Sequence, residues 1–147
     1  MNTPDADGLL AEQLLRLTRR LHRIQKRHLV PTGITPAQSR LLRTLLHYET
    51  PPRMADLAQR LEVVPRAVTS LVDGLEASDL VRRVPDPTNR RVIRIELTDA
   101  GRKALGELRS ARLAAAEDIL APLDAQQREQ LGGLLTALFE APDVRHC

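Results

Sequence analysis

The sequence predicts a mainly α-helical chain with one small β-hairpin. Three observations predict it. Apolar residues recur at steps of three and four over most of the chain, the spacing of one helix face. Only residues 80–97 alternate like strands around a turn-rich centre. Aromatic residues are 1% of the composition, Tyr48 and Phe139 alone, so the core must be aliphatic, and Leu and Ala favour helices. At 147 residues the chain is long enough for one domain with a real core and too short for two.

The first helix is expected over about Leu9–Leu29. Leu10, Leu14, Leu17, Leu21 and Ile24 form a seam suited to lengthwise packing on another helix. Arg16, Arg19, Arg20, Arg23, Lys26 and Arg27 flank it and read as a solvated basic face. Pro31-Thr32-Gly33 breaks the pattern. Thr35-Pro36-Ala37-Gln38 is a capping box with proline at the first helical position, so a second helix follows, to about Tyr48. Thr50-Pro51-Pro52 ends it. A third helix over Met54–Leu61 and a fourth over Pro65–Ser78 are joined by the short link Glu62-Val63-Val64.

Strands are expected at Leu80–Val84 and Val92–Leu97, around Pro85-Asp86-Pro87-Thr88-Asn89. Ile93, Ile95 and Leu97 then share an apolar face. Thr98-Asp99 caps a fifth helix running to about Ala121, where Pro122 stops it. Asp124-Ala125-Gln126-Gln127 opens a sixth, with Leu131, Leu134, Leu135 and Leu138 at helical spacing. The outer helices carry apolar stripes with no evident core of their own to cover.

Composition excludes several functions. With almost no aromatic rings to stack bases on, the chain is not expected to read single strands. Cys147 is the single cysteine, so a disulfide framework is excluded within the chain. His22, His28, His47 and His146 make no metal spacing, and no metal or cofactor is expected. No Gly-rich phosphate loop or nucleophile elbow appears, so the chain is not read as an enzyme. The start has acidic residues where a signal peptide is basic, and no stretch approaches the roughly 18 apolar residues of a membrane span. A cytoplasmic protein with no membrane partner is the expectation.

The chemistry concentrates between Met54 and Arg94. In the fourth helix Val64, Val68, Leu71, Val72 and Leu75 fall on one face, against Arg66, Thr69, Ser70 and Asp73 on the other. Short polar groups with one arginine are what a helix needs in the major groove of duplex DNA. Arg82, Arg83, Arg90, Arg91 and Arg94 lie within thirteen positions, 82–94, against one acid, Asp86. A basic hairpin tip beside such a helix reads as a wing, and arginine suits the more negative narrow minor groove. The elements together read as a winged helix-turn-helix over 35–98, flanked by dimerisation helices at 9–30 and 99–140, in one domain spanning 1–147. Pro65, Arg66, Thr69, Ser70, Arg90 and Arg91 are expected at the DNA, together with Ser39 and Arg53. The alternative is a winged-helix module that binds protein instead of DNA.

Leu57-Ala58-Gln59-Arg60-Leu61, Pro65, Val68-Thr69 and Leu71-Val72-Asp73-Gly74-Leu75-Glu76 resemble the helix-turn-helix of the MarR family of transcriptional regulators. Leu80-Val81-Arg82-Arg83, Asp86-Pro87-Thr88-Asn89-Arg90-Arg91 and Ile95-Glu96-Leu97-Thr98-Asp99-Ala100-Gly101 are similar to that family's wing signature. The resemblance implies a triangular homodimer built by the first, fifth and sixth helices. It implies a reading helix in the major groove and a wing arginine, by position Arg91, in the minor groove. It also implies repression of a pseudo-palindromic operator, and release by a small phenolic or anionic effector. An effector cleft is expected between the first, second and fifth helices, with His22, Arg23, His47 and Tyr48. Relatives that sense peroxide use a cysteine in the first helix, which has none here, so redox sensing is not expected. Three positions depart from the family pattern: Glu62 where glycine is usual, Val64 where a small polar cap is usual, and Asn89 in place of the wing aspartate.

Overall fold

Helix boundaries follow the punctuation of the sequence closely. The computed structural model describes residues 4–141. Its helices are α1 (Pro4–Leu29), α2 (Pro36–Leu45), α3 (Met54–Leu61), α4 (Pro65–Ala77), α5 (Asp99–Leu120) and α6 (Ala125–Glu140). Strands β1 (Val81–Pro85) and β2 (Ile93–Leu97) form an antiparallel hairpin with Val81 opposite Leu97 and Pro85 opposite Ile93. Arg53 adds an isolated bridge to Arg94, and the Ile95 amide donates to the Pro52 carbonyl at 2.9 Å. Cys147 and His146 lie outside the described residues.

The caps are those the sequence announces. Thr35 accepts from the Gln38 amide while Gln38 Oε1 accepts from the Thr35 amide. Asp124 and Gln127 repeat the arrangement at α6, and Thr98 Oγ1 accepts from the Gly101 amide at α5. Each cap satisfies amides that the first turn leaves without a helical partner.

Two boundaries move by more than one residue, and the link between α3 and α4 carries two residues out of character. α1 begins at Pro4, before the leucine seam, because a helix can start on proline without needing an apolar residue. α2 stops at Leu45, where Leu46, His47 and Tyr48 donate to carbonyls three residues back and tighten the chain into turns. Val64, expected on the buried face of α4, is its N-cap and 67% exposed. It offers no side-chain cap, so Pro65 at the first position starts the helix alone. Glu62 ends α3 in the left-handed region, at φ 56°, the geometry that glycine supplies without strain.

The core joins Leu41 and Leu42 of α2, Leu57 and Leu61 of α3, Val68, Val72 and Leu75 of α4, Val81 and Ile95 of the hairpin, and Leu105 and Leu108 of α5. Burying each leucine stabilises by about 1.5–3 kcal/mol, so this aliphatic cluster is what fixes α4 and the hairpin relative to each other. Ile93, expected on the same apolar face, is half-way out to solvent because it sits beyond the core, toward the wing turn.

The end helices differ. The C-terminal part of the α1 seam has a partner after all: α1 packs along α5, and Ile24 and Leu29 are buried. Its N-terminal part does not, and Leu10, Leu14 and Leu17 are exposed. α6 buries no residue, and Leu134, Leu138 and Phe139 are exposed, Phe139 by 81%.

Candidate nucleic-acid interface

α4 holds its polar face outward because Val68, Val72 and Leu75 are fixed in the core. Pro65, Arg66, Thr69 and Ser70 are all exposed on it. Thr69 donates its hydroxyl to the Pro65 carbonyl at 3.2 Å, which keeps its oxygen available as an acceptor. Tyr48 lies below α3, its ring 5.7 Å from the Arg60 guanidinium.

The wing turn is built on Asp86, whose side chain is only 7% exposed. Its Oδ1 accepts from the Thr88 amide at 2.8 Å, the Thr88 hydroxyl at 2.7 Å and the Asn89 amide at 3.1 Å. Its other oxygen pairs with Arg94 Nε. The Thr88 bonds first, and then Arg94, hold this carboxyl well below the usual carboxylate range. The sequence places Asp86 in the turn and in the wing signature, but assigns it no hydrogen-bonding role. The signal was present: an aspartate that binds amides two and three residues on is a turn-former.

The five hairpin arginines divide by partner. Arg82 pairs with Glu96, Arg94 pairs with Asp86, and Arg83 holds Asp73 and Glu76. Arg94 is therefore structural and not part of a solvated basic patch; its Nη1 donates to the Pro51 carbonyl at 2.6 Å. Arg90 and Arg91 are exposed in the turn and make no ion pair among the described residues. Asn89 Oδ1 accepts from the Arg91 amide at 3.1 Å. It fixes the backbone there.

Two expected DNA contacts stand differently. Ser39 is 3% exposed and buried within the core-facing side of α2, so it does not reach the surface. Arg53 is at the surface, but its guanidinium grips Asp56 at 3.1 Å on both nitrogens. The Asp56 hydrogen bond raises the Arg53 pKa, and the same bond lowers that of Asp56.

The expected effector residues do not share one cleft within the chain. Arg23 lines a shallow hollow on α1 with Arg16 and Arg20, and neighbouring His22 is exposed. Tyr48 lines a small pocket beside Pro51 and Pro52, its hydroxyl directed to the Asp56 carbonyl at 3.4 Å. His47 alone reaches a cleft between α2 and α5, of about 560 Å³. Arg43, Arg102, Arg109 and Arg112 line that cleft over Leu105. Arg43 Nε is buried there without a hydrogen-bond partner, and desolvation, then Arg112 and Arg40, lower its pKa. The sequence hid this cluster because its arginines sit on two helices sixty residues apart.

Comparison with known proteins is consistent along the whole chain. Residues 32–92 match the model of the MarR family. The chain is 31% identical over 142 residues to the HTH-type transcriptional repressor MdtR of Bacillus subtilis, covering 95% of this chain and 91% of that protein. It is 30% identical over 139 residues to the uncharacterized HTH-type transcriptional regulator YhbI of the same organism, covering 90% of each. In structure it is similar to the YusO protein of Bacillus subtilis, with TM-score 0.82, 27% identity, and 97% and 100% of the two chains covered. A single-substitution mutant of MepR from S. aureus, solved bound to an oligodeoxyribonucleotide, shares the fold with TM-score 0.73 at 22% identity, over 88% of this chain and 95% of that one. Among the described residues no helix is long and apolar enough to cross a membrane.

Proposed function

The chain belongs to the MarR family, and on that premise we propose that it acts as a homodimeric repressor on a pseudo-palindromic operator in duplex DNA. It is a DNA-binding transcription regulator. The observation that carries the site assignment is the division of the wing arginines. The fold consumes Arg82, Arg83 and Arg94 internally and leaves Arg90 and Arg91 exposed in the wing turn, while α4 separately exposes its Arg66 face. That pairing of a reading helix with a free basic tip supports base readout by α4 and a minor-groove or phosphate contact by the wing. Selection of bound sequences from random duplex DNA, followed by a salt titration, tests it. Steep weakening with salt is expected; salt-independent binding or none supports the protein-interaction module instead.

Dimerisation by residues 9–30 and 99–140 is supported by the leucines that α1 and α6 leave in solvent, since monomers rarely expose large apolar patches. Half-sites should then lie about 34–36 Å apart, one helical turn of DNA. A monomeric mass by light scattering at micromolar concentration would exclude it. A reporter driven through the selected operator separates repression from activation.

The arginine-lined cleft between α2 and α5 favours control by a small anion. Arg43, Arg102, Arg109 and Arg112 gather positive charge over the apolar floor of Leu105, a lining that suits a small carboxylate or phenolate. Such an effector must bind free protein more tightly than operator-bound protein, by linkage. Calorimetry on both forms with benzoate-like acids is the measurement, and equal affinities reject this control.

A further inference from the structure

We propose that Arg83 sets DNA affinity without touching DNA, by masking the Asp73 and Glu76 carboxylates on the reading helix. The inference rests on the DNA-binding reading above.

At 3.6 residues per turn, Asp73 projects within about 20° of Arg66 and about 40° of Thr69. It therefore stands on the reading face itself, two turns beyond Arg66. Glu76 follows one turn on, toward the hairpin. Both carboxylates are exposed enough to meet the field of a duplex, their side chains 61% and 40% accessible. Duplex DNA presents one phosphate charge per about 1.7 Å of axis, so bare carboxylates there oppose docking.

Arg83 answers both from β1. Its Nη2 donates to Asp73 Oδ1 at 2.5 Å and its Nη1 to Glu76 Oε1 at 2.6 Å. Its backbone amide also donates to Glu76 Oε2 at 3.1 Å. One guanidinium thus halves the negative charge on this part of α4 and turns both carboxylates toward the hairpin. With Asp73 61% and Glu76 40% accessible, each pair adds only modestly to folding, so stability alone gives an incomplete account of where the clamp sits. Neutralising a repulsive charge at a DNA-facing surface gives a better one.

The test compares Arg83→Gln, Asp73→Asn/Glu76→Gln and the triple variant on a duplex selected by the parent chain, with thermal melts alongside. Arg83→Gln should weaken binding about tenfold or more, with a melting temperature close to the parent's. The double variant should bind as tightly as the parent or tighter, because it has no carboxylate to mask. The triple variant should regain parental affinity. A triple variant as weak as Arg83→Gln would overturn the proposal, since a direct DNA contact or a purely mechanical strut would both be lost in it. A double variant weakened tenfold would overturn it too, and this arm does not depend on Arg83→Gln folding. If the parent chain selects no duplex at all, the DNA-binding reading itself fails, an outcome distinct from failed rescue.

Discussion

Asp86 and Arg94 form an ion pair across the root of the wing, and the same guanidinium reaches the Pro51 carbonyl. The turn that presents Arg90 and Arg91 is thereby tied to the segment that starts α3. This tie between wing and helix-turn-helix runs through a titratable group.

The tie should fail in acid. The Asp86 carboxyl is held below its ordinary value in the folded chain, so its contribution is complete above the unfolded carboxylate value of about 4. It is lost as pH falls through the folded value, where the unfolded chain has already taken its proton. Asp86→Asn should therefore melt lower than the parent at neutral pH, and the gap should narrow below about pH 4. Thermal melts of both at a series of pH values check this; a gap independent of pH would refute it.

Arg91→Ala should weaken operator binding strongly, and Arg90→Ala somewhat less. Neither makes an ion pair among the described residues, so melting temperatures should hold while the salt slope drops by about one unit per lost phosphate contact. Parental affinity in both variants would remove the wing from the interface.

Arg66→Ala should cost on the order of 1–3 kcal/mol at one base pair and relax the preference there. Binding profiles on single-position operator variants report it. Equal losses on operator and random DNA would make Arg66 a phosphate contact.

Glu62→Gly should stabilise the protein. A left-handed residue with a side chain costs about 1–2 kcal/mol, and glycine removes that at the price of some unfolded-state freedom, leaving a gain of about 0.5–1 kcal/mol. Denaturant midpoints at constant slope give the answer, and a lower midpoint contradicts it.

How much of this was legible depended on whether the cause was local. Thr35, Thr98 and Asp124 announce their helices because a cap needs only residues three apart. Met54–Leu61 was readable to the residue for the same reason, between Pro52 and the link to Pro65. The departures at Glu62 and Val64 were legible as well, as residues out of character for their positions. Ser39 was not, because a lone serine on a leucine-rich helix looks the same whether its side is covered or bare. The arginine partners were invisible too: Arg83 finds Asp73 ten residues back, and Arg94 finds Pro51 forty-three residues back. Those distances belong to the packed chain, and charge counting over a sequence window treats all such arginines as equivalent.

The first turn of α5 is pinned to the Asp79–Leu80 turn that follows α4. Thr98 donates its amide to the Leu80 carbonyl and its hydroxyl to that of Asp79, and a Cβ on Gly101 would collide with the same Leu80 oxygen. α5 is thus a lever with a fixed fulcrum. Its 22 residues span about 33 Å, so a tilt of about 5° at the pinned end sweeps the far end by roughly 3 Å. The gearing also runs backwards: by the same geometry a few ångströms of displacement where α5 nears α6 corresponds to only a few degrees of tilt at its pinned end. Any displacement entering at the far end of α5 would reach the Asp79–Leu80 turn as a small rotation, reduced about tenfold in reach.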